Sequence, residues 1–174
     1  MSLSGLYVVA TPIGNLEDIS YRAVSILSAV DLIAAEDTRH SRVLLAHYNI
    51  ATGMQALHEH NEARVADQLL KRIRNGEAVA LISDAGTPLI SDPGYRLVKS
   101  AREAGLPVWT VPGPSAITAA LSVAGLPSDR FVFEGFLPAK SAARKKKLEA
   151  LGNETGTLVF FESSHRIAAT ISSM

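Results

Sequence analysis

The 174-residue chain has no cysteine. A disulfide framework, a thiolate zinc site and a cysteine nucleophile are therefore excluded. Net charge is missing too, since 17 Lys and Arg balance 17 Asp and Glu. Nucleic-acid binding would have to come from a local patch, and a histone-like binder is excluded. No unbroken apolar run is long enough for a membrane span. The longest charge-free stretch, residues 104–128, is interrupted by Pro107, Pro112, Pro114 and Pro127 and by Gly105, Gly113 and Gly125, so it reads as buried core. The N-terminus carries no basic segment followed by an apolar block, and a cytoplasmic rather than secreted protein is expected. What is present is an ordinary globular composition, 47% hydrophobic and 20% charged, which excludes disorder, coiled coil and collagen. At roughly 150 residues per domain, the length holds one domain and part of a second.

Short apolar runs alternate with helical patterns. Strands are predicted at 5–10, 32–35, 54–57, 78–82 and 107–111, with helices at about 20–29, 39–48, 61–74 and 93–104 between them. Asn61 is the expected N-cap of the third helix. Ala78-Val79-Ala80-Leu81-Ile82 is apolar at every position, as expected when both faces of a parallel sheet are covered. The regular alternation predicts a doubly wound parallel α/β sheet. After Leu126 the texture changes to strand-like 131–136, a basic helix over 141–151, strand-like 157–161 and a final helix. We therefore expect an N-terminal domain over 1–126 and the start of a second α/β domain, incomplete, over 127–174.

In such sheets ligands lie outside the carboxyl ends of the strands, and four post-strand segments are unusual. Thr11-Pro12-Ile13-Gly14-Asn15-Leu16-Glu17-Asp18 has a glycine that permits close backbone approach but no G-x-G-x-x-G, which disfavours a nicotinamide dinucleotide. Glu36-Asp37-Thr38-Arg39-His40 places charges directly after an apolar strand; a helix cap with a solvated Arg39 and a functional group are both open. Residues 83–94 form a loop too long for a simple link and rich in hydroxyls, carboxylates and glycines. There Asp84 could face a ribose or a ligand cation, or make an Asx-turn. Pro112-Gly113-Pro114-Ser115-Ala116 offers N–H groups at a helix start, suited to an anion or simply to a proline-started helix.

His58-Glu59-His60 has two histidines on one strand face but no third ligand nearby, so a solvated loop is expected and no metal site. Lys140, Arg144 and Lys147 fall at i, i+4 and i+7 of a helix within a run of five cations. A solvated face and a phosphate-binding patch compete for that segment.

Taken together, Thr11 through Leu16 with Asp18-Ile19, Ala34 through Arg39, Ser83 through Gly94, and Phe133-Glu134-Gly135-Phe136-Leu137-Pro138 resemble the small-subunit ribosomal RNA 2′-O-methyltransferase branch of the tetrapyrrole (corrin/porphyrin) methylase superfamily. The resemblance runs in order from residue 5 to 168. It implies two α/β domains with S-adenosylmethionine in the cleft between them, a homodimer, and 2′-O-methylation of a cytidine ribose in small-subunit ribosomal RNA. It places Pro12, Ile13, Gly14, Ile82, Ser83, Asp84, Thr87, Ser115, Ala116 and Glu162 at the cofactor. Glu36, Asp37 and Glu162 are the candidate bases, and Arg39, Lys140, Arg144 and Lys147 the candidate RNA contacts.

Two departures bear on this. Tetrapyrrole enzymes carry Gly-x-Gly-Pro-Gly-Asp in the first loop and Gly-Gly-Asp before the third, where this chain has Ala10-Thr11-Pro12-Ile13-Gly14-Asn15 and Ile82-Ser83-Asp84. That pattern favours the ribosomal RNA branch over a porphyrin or precorrin methylase, the nearest alternative; a non-catalytic nucleotide-binding module is the other. Members of the branch also continue well past residue 174, so the second domain is expected to be unfinished and the cofactor site to be missing a wall.

Overall fold

A computed structural model describes residues 3–174. Two compact units emerge, Met1–Ala116 and Ile117–Met174, dividing ten residues before the boundary expected from the change in texture.

In the first unit, β1 (Gly5–Val9), α1 (Tyr21–Ala29), β2 (Leu32–Ala35), α2 (Thr38–His47), β3 (Met54–Ala56), α3 (Glu62–Arg74), β4 (Ala78–Ile82), α4 (Tyr95–Glu103) and β5 (Val108–Val111) alternate along the chain. Their strands form one sheet in the order β3-β2-β4-β1-β5, and every pairing is parallel. Alternate side chains go to opposite faces. Leu6, Leu32, Ala34, Val79 and Leu81 pack with Val65, Leu69 and Ile73 of α3 and Leu97 and Ala101 of α4. Val9, Ile33, Ala35, Ala80 and Ile82 pack with Ala23 and Leu27 of α1 and Leu45 of α2 on the other face. The sheet is thus doubly wound. Burial on both faces explains why β2 and β4 lack the polar alternation of a half-exposed strand.

The winding creates a switch point. Connections through α1 and α2 lead from β1 out to β3 on one face, whereas those through α3 and α4 lead back to β5 on the other. At β4 the chain therefore leaves toward the face opposite to that taken from its neighbours β1 and β2, which opens a crevice at their carboxyl ends.

Local chemistry starts most of these helices. Ser20 caps α1 by accepting from Ala23 N–H. Asn61 precedes α3 but makes no side-chain cap. Its amide is spent on the preceding turn, accepting from His58 N–H and donating to the Ala56 carbonyl. Glu62 reaches across to α4, where it accepts from the N–H groups of Gly94 and Arg96. Gly94 is the N-cap of α4 at φ +117°, and a Cβ there would lie 2.7 Å from Leu81 Cδ2. Only glycine meets both demands.

The second unit contains most of α5 (Ala116–Val123), then β6 (Phe131–Phe136), α6 (Ser141–Ala150), β7 (Thr157–Phe161) and α7 (Ile167–Ile171). β6 and β7 pair in parallel, with a bulge between Phe133 and Phe136. Phe133 and Phe136 meet Phe161 edge to face at 4.7 and 5.6 Å. No residue of β6 or β7 is fully buried, and Phe131 and Phe136 are exposed. Among the described residues, no helix is long and apolar enough to cross a membrane.

Candidate functional site at the switch point

The loop after β1 and the loop after β4 are joined by an antiparallel bridge. Thr11 N–H donates to the Gly86 carbonyl at 2.9 Å and Gly86 N–H returns to the Thr11 carbonyl at 3.1 Å. The buried Thr11 hydroxyl adds a bond to the Ser83 carbonyl at 3.1 Å. Loop one then makes a single 3-10 turn, Leu16–Asp18, capped by Asn15. On the β5 side of the bridge, Thr87 Oγ1 donates to the Pro114 carbonyl at 3.1 Å, which ties loop three to the segment holding Ser115 and Ala116.

On the β2 side lies a pocket of about 380 Å³. Its walls are Thr11, Pro12, Ile13, Gly14 and Leu16 from loop one, His40, Ser41, Val43 and Leu44 from α2, and Ser83, Asp84 and Ala85 from loop three. Ser41 is only 3% exposed, yet among the described residues its hydroxyl has no hydrogen-bond partner. The segments after β1, β2 and β4, separate in sequence, thus line one cavity.

Carboxylates gather beside it. Asp37 N–H donates to Asp84 Oδ1 at 3.1 Å. Glu36 is pushed above the usual carboxylate range, first by burial and then by the charges of Asp84 and Asp92. Asp92 rises from 3.8 to about 6, chiefly through burial, with the Asp84 charge adding to it and a Ser83 hydrogen bond opposing it. Among the described residues no ion pair joins Glu36, Asp84 or Asp92. Asp37 differs. Arg39 grips both of its oxygens, at 3.2 and 2.8 Å, and Asp37 also caps α2 by accepting from Arg39 N–H. Those bonds hold Asp37 far below the usual range, so it is a poor proton acceptor.

Several expected site residues are placed otherwise than anticipated. Ile82 is 1% exposed, with its side chain in the core, and has only backbone to offer a ligand. Glu162 lies in the second unit with its side chain almost wholly buried. It accepts from the Thr170 hydroxyl at 2.6 Å and from Ser163 N–H, and it pairs with Arg166. The Thr170 bond above all lowers its proton affinity. Arg144 is a correction: it is 5% exposed and bonds the Ala139 and Ala169 carbonyls and the Ser173 hydroxyl. It braces α7 against α6 and cannot reach a phosphate from there. Lys147 is paired with Glu134 at 2.6 Å. Lys140, Lys145 and Lys146 remain exposed, as does Arg39, whose side chain is 86% exposed.

Asp92 and the α2 residues Ser41, Val43 and Leu44 escaped the sequence reading. Asp92 precedes Pro-Gly and reads as a turn, and the α2 residues read as one face of an amphipathic helix.

Known proteins agree with this architecture. The chain is 58% identical over its full length to a ribosomal RNA small subunit methyltransferase I of Xylella fastidiosa, covering 64% of that protein. It is 59% identical over 93% of its length to the Escherichia coli O157:H7 protein of the same name, covering 57% of it. The chain therefore spans less than two thirds of these relatives. A diphthine synthase crystal structure superposes with a TM-score of 0.72 at 17% identity, over 92% of this chain and 64% of that one, a likeness of fold alone. Residues 5–174 match the family model of the Tetrapyrrole (Corrin/Porphyrin) Methylases, and with the doubly wound sheet and its switch-point crevice, the chain belongs to that family.

Proposed function

We propose that the protein transfers a methyl group from S-adenosylmethionine to a ribose 2′-oxygen, that of a cytidine, in small-subunit ribosomal RNA. The observation that carries this reading is the set of three uncompensated carboxylates, Glu36, Asp84 and Asp92, at the switch point. Such a setting favours a cation over a phosphate, and the methyl donor is a sulfonium. The nature of the acceptor is inferred from the printed names of the relatives, which are methyltransferases of small-subunit ribosomal RNA.

In this reading the bridged loops hold the cofactor through Pro12, Ile13, Gly14, Ser83, Asp84 and the Ile82 backbone, with Thr87, Ser115 and Ala116 on the β5 side. When bound, the sulfonium supplies both the methyl group and its own leaving group. The protein must align the ribose, exclude water and take the hydroxyl proton. Glu36 is the acceptor we assign, since its raised proton affinity brings it closer to working pH than Asp37 or Glu162. Arg39 and Lys140 contact RNA phosphates. The protein acts as a cytoplasmic homodimer on the assembled small subunit.

The test uses protein of the relatives' full length, methyl-labelled cofactor and small ribosomal subunits. Label is expected on the 2′-oxygen of one cytidine, located by mass spectrometry of nuclease fragments. Label on a base, on a free macrocycle or nowhere overturns the proposal.

A further inference from the structure

The acidic crevice has a basic neighbour. α3 follows β3 and α4 follows β4, so the first turns of both helices stand at the carboxyl edge of the sheet, the edge that carries the switch point. Glu62 ties these two turns together through the N–H groups of Gly94 and Arg96. Beside this tie lies a hollow of about 510 Å³ whose walls include His60, Arg64 and Arg96, with Glu59 as its one acidic residue. After burial, the charges that raise the proton affinity of Glu36 include that of Glu59, so the hollow opens close to the crevice. The cofactor reading uses none of these residues. We propose that the groove between α3 and α4 holds a single-stranded segment of RNA beside the reacting nucleotide, with a phosphate on Arg64 and Arg96 and a base on Tyr95. The proposal rests on the RNA reading above.

Arg64 and Arg96 are exposed, and among the described residues neither takes part in an ion pair. Other cations of these two helices do pair, Arg72 with Glu77 and Lys99 with Glu103. Two unpaired guanidinium groups on one hollow select phosphate, whose oxygens accept from both forks, over a neutral ligand.

A second hollow of about 640 Å³ continues from the first and shares Ala63 and Arg96 with it. Its charges cancel, Asp67 and Glu103 against Arg96 and Lys99, so it has no preference for a further phosphate. What it offers instead is Tyr95, 65% exposed. An aromatic ring left in water beside a phosphate site is a platform on which an unpaired base stacks. A duplex keeps its base faces covered, so the arrangement favours a single strand.

Anisotropy titration of the present chain with a labelled single-stranded oligoribonucleotide, and with the duplex of the same strand, tests this. The joint Arg64→Ala and Arg96→Ala variant should flatten the log K against log salt slope for the single strand by about 0.7 per lost contact. Lys71→Ala with Arg74→Ala, which removes two exposed cations from the far end of α3, should leave that slope unchanged. Tyr95→Ala should weaken the single strand about 5- to 150-fold. Tyr95→Phe should restore it, and neither change should alter duplex binding or S-adenosylhomocysteine affinity. An unaltered slope in the arginine variant, equal flattening by the Lys71 and Arg74 pair, or equal loss of single strand and duplex in Tyr95→Ala overturns the proposal. The outcome is separable from the methylation assay. Ribose labelling by a protein whose groove ignores single strands refutes the groove alone; single-strand binding on Arg64, Arg96 and Tyr95 by a protein that labels a macrocycle refutes the methylation reading alone.

Discussion

Asp84, at the end of β4, accepts a hydrogen bond from the backbone N–H of Asp37, the cap of α2, at 3.1 Å. A single carboxylate thereby fixes the distance between two loops 47 residues apart in sequence, and its charge is felt by Glu36 and Asp92. Replacing it separates these two effects. Asp84→Asn keeps an oxygen for Asp37 N–H and removes the charge. Stability should change little, while S-adenosylmethionine affinity falls about 10- to 150-fold by calorimetry. Asp84→Ala should lose the same affinity and about 1 kcal/mol of stability as well, because Asp37 N–H is left unpaired. Undiminished affinity in folded Asp84→Asn would remove this residue from the cofactor site.

Asp92 gives a pH signature. Its folded-state pKa of about 6 lies above the ordinary 3.8, so the folded state binds the proton more tightly than the unfolded chain. The stabilisation from that proton is complete below about pH 4 and is lost as pH rises through about 6. The full shift would correspond to about 3 kcal/mol; screening of this half-buried group reduces the expectation to about 1 kcal/mol. Asp92→Asn should therefore be more stable than the parent at pH 7.5 and equal to it at pH 3.5, as read by urea midpoints. A difference independent of pH would contradict the assigned environment.

Ser41 carries a cost in the free protein. An unsatisfied buried hydroxyl is unfavourable in the free protein, so Ser41→Ala should raise folding stability by about 1 kcal/mol, visible as a higher urea midpoint with an unchanged slope. Loss of stability would show that the hydroxyl has a partner in solution.

In the second unit the basic residues should divide sharply by position. Arg144→Met removes the donors to the Ala139 carbonyl and the Ser173 hydroxyl and one of the two donors to the Ala169 carbonyl, and should cost about 2–4 kcal/mol. Lys140, Lys145 and Lys146 are exposed, and their joint replacement by Ala should barely affect stability. If they meet phosphates, that triple variant flattens the log K against log salt slope for RNA by about 0.7–0.9 per contact. An unchanged slope would return them to plain solvation.

The strands were legible because both faces of this sheet are covered. Ala78–Ile82 and Leu32–Ala35 carry no polar residue, and their observed limits coincide with those expected. The Glu36–Arg39 and Ser83–Gly94 segments stood out because charges and hydroxyls directly after such strands have no role in a core. Ser41 was not legible: what makes it a pocket residue is the path of loop one over α2, a consequence of strand order rather than of local pattern. Arg144 misled for the opposite reason. Its i, i+4, i+7 company reads as a solvated stripe, and only the packing of α7 shows that Arg144 itself is turned inward while Lys140 stays exposed.

The two short bonds between Thr11 and Gly86 also bear on how a ligand enters. They couple the loops after β1 and β4, so neither can lift without breaking both bonds, and the pair forms one opening unit. Amide exchange at Thr11 and Gly86 should accordingly resemble that of the neighbouring strands rather than that of loops, with matching rates at the two positions. A ligand therefore reaches the pocket past an intact bridge, without either loop lifting on its own.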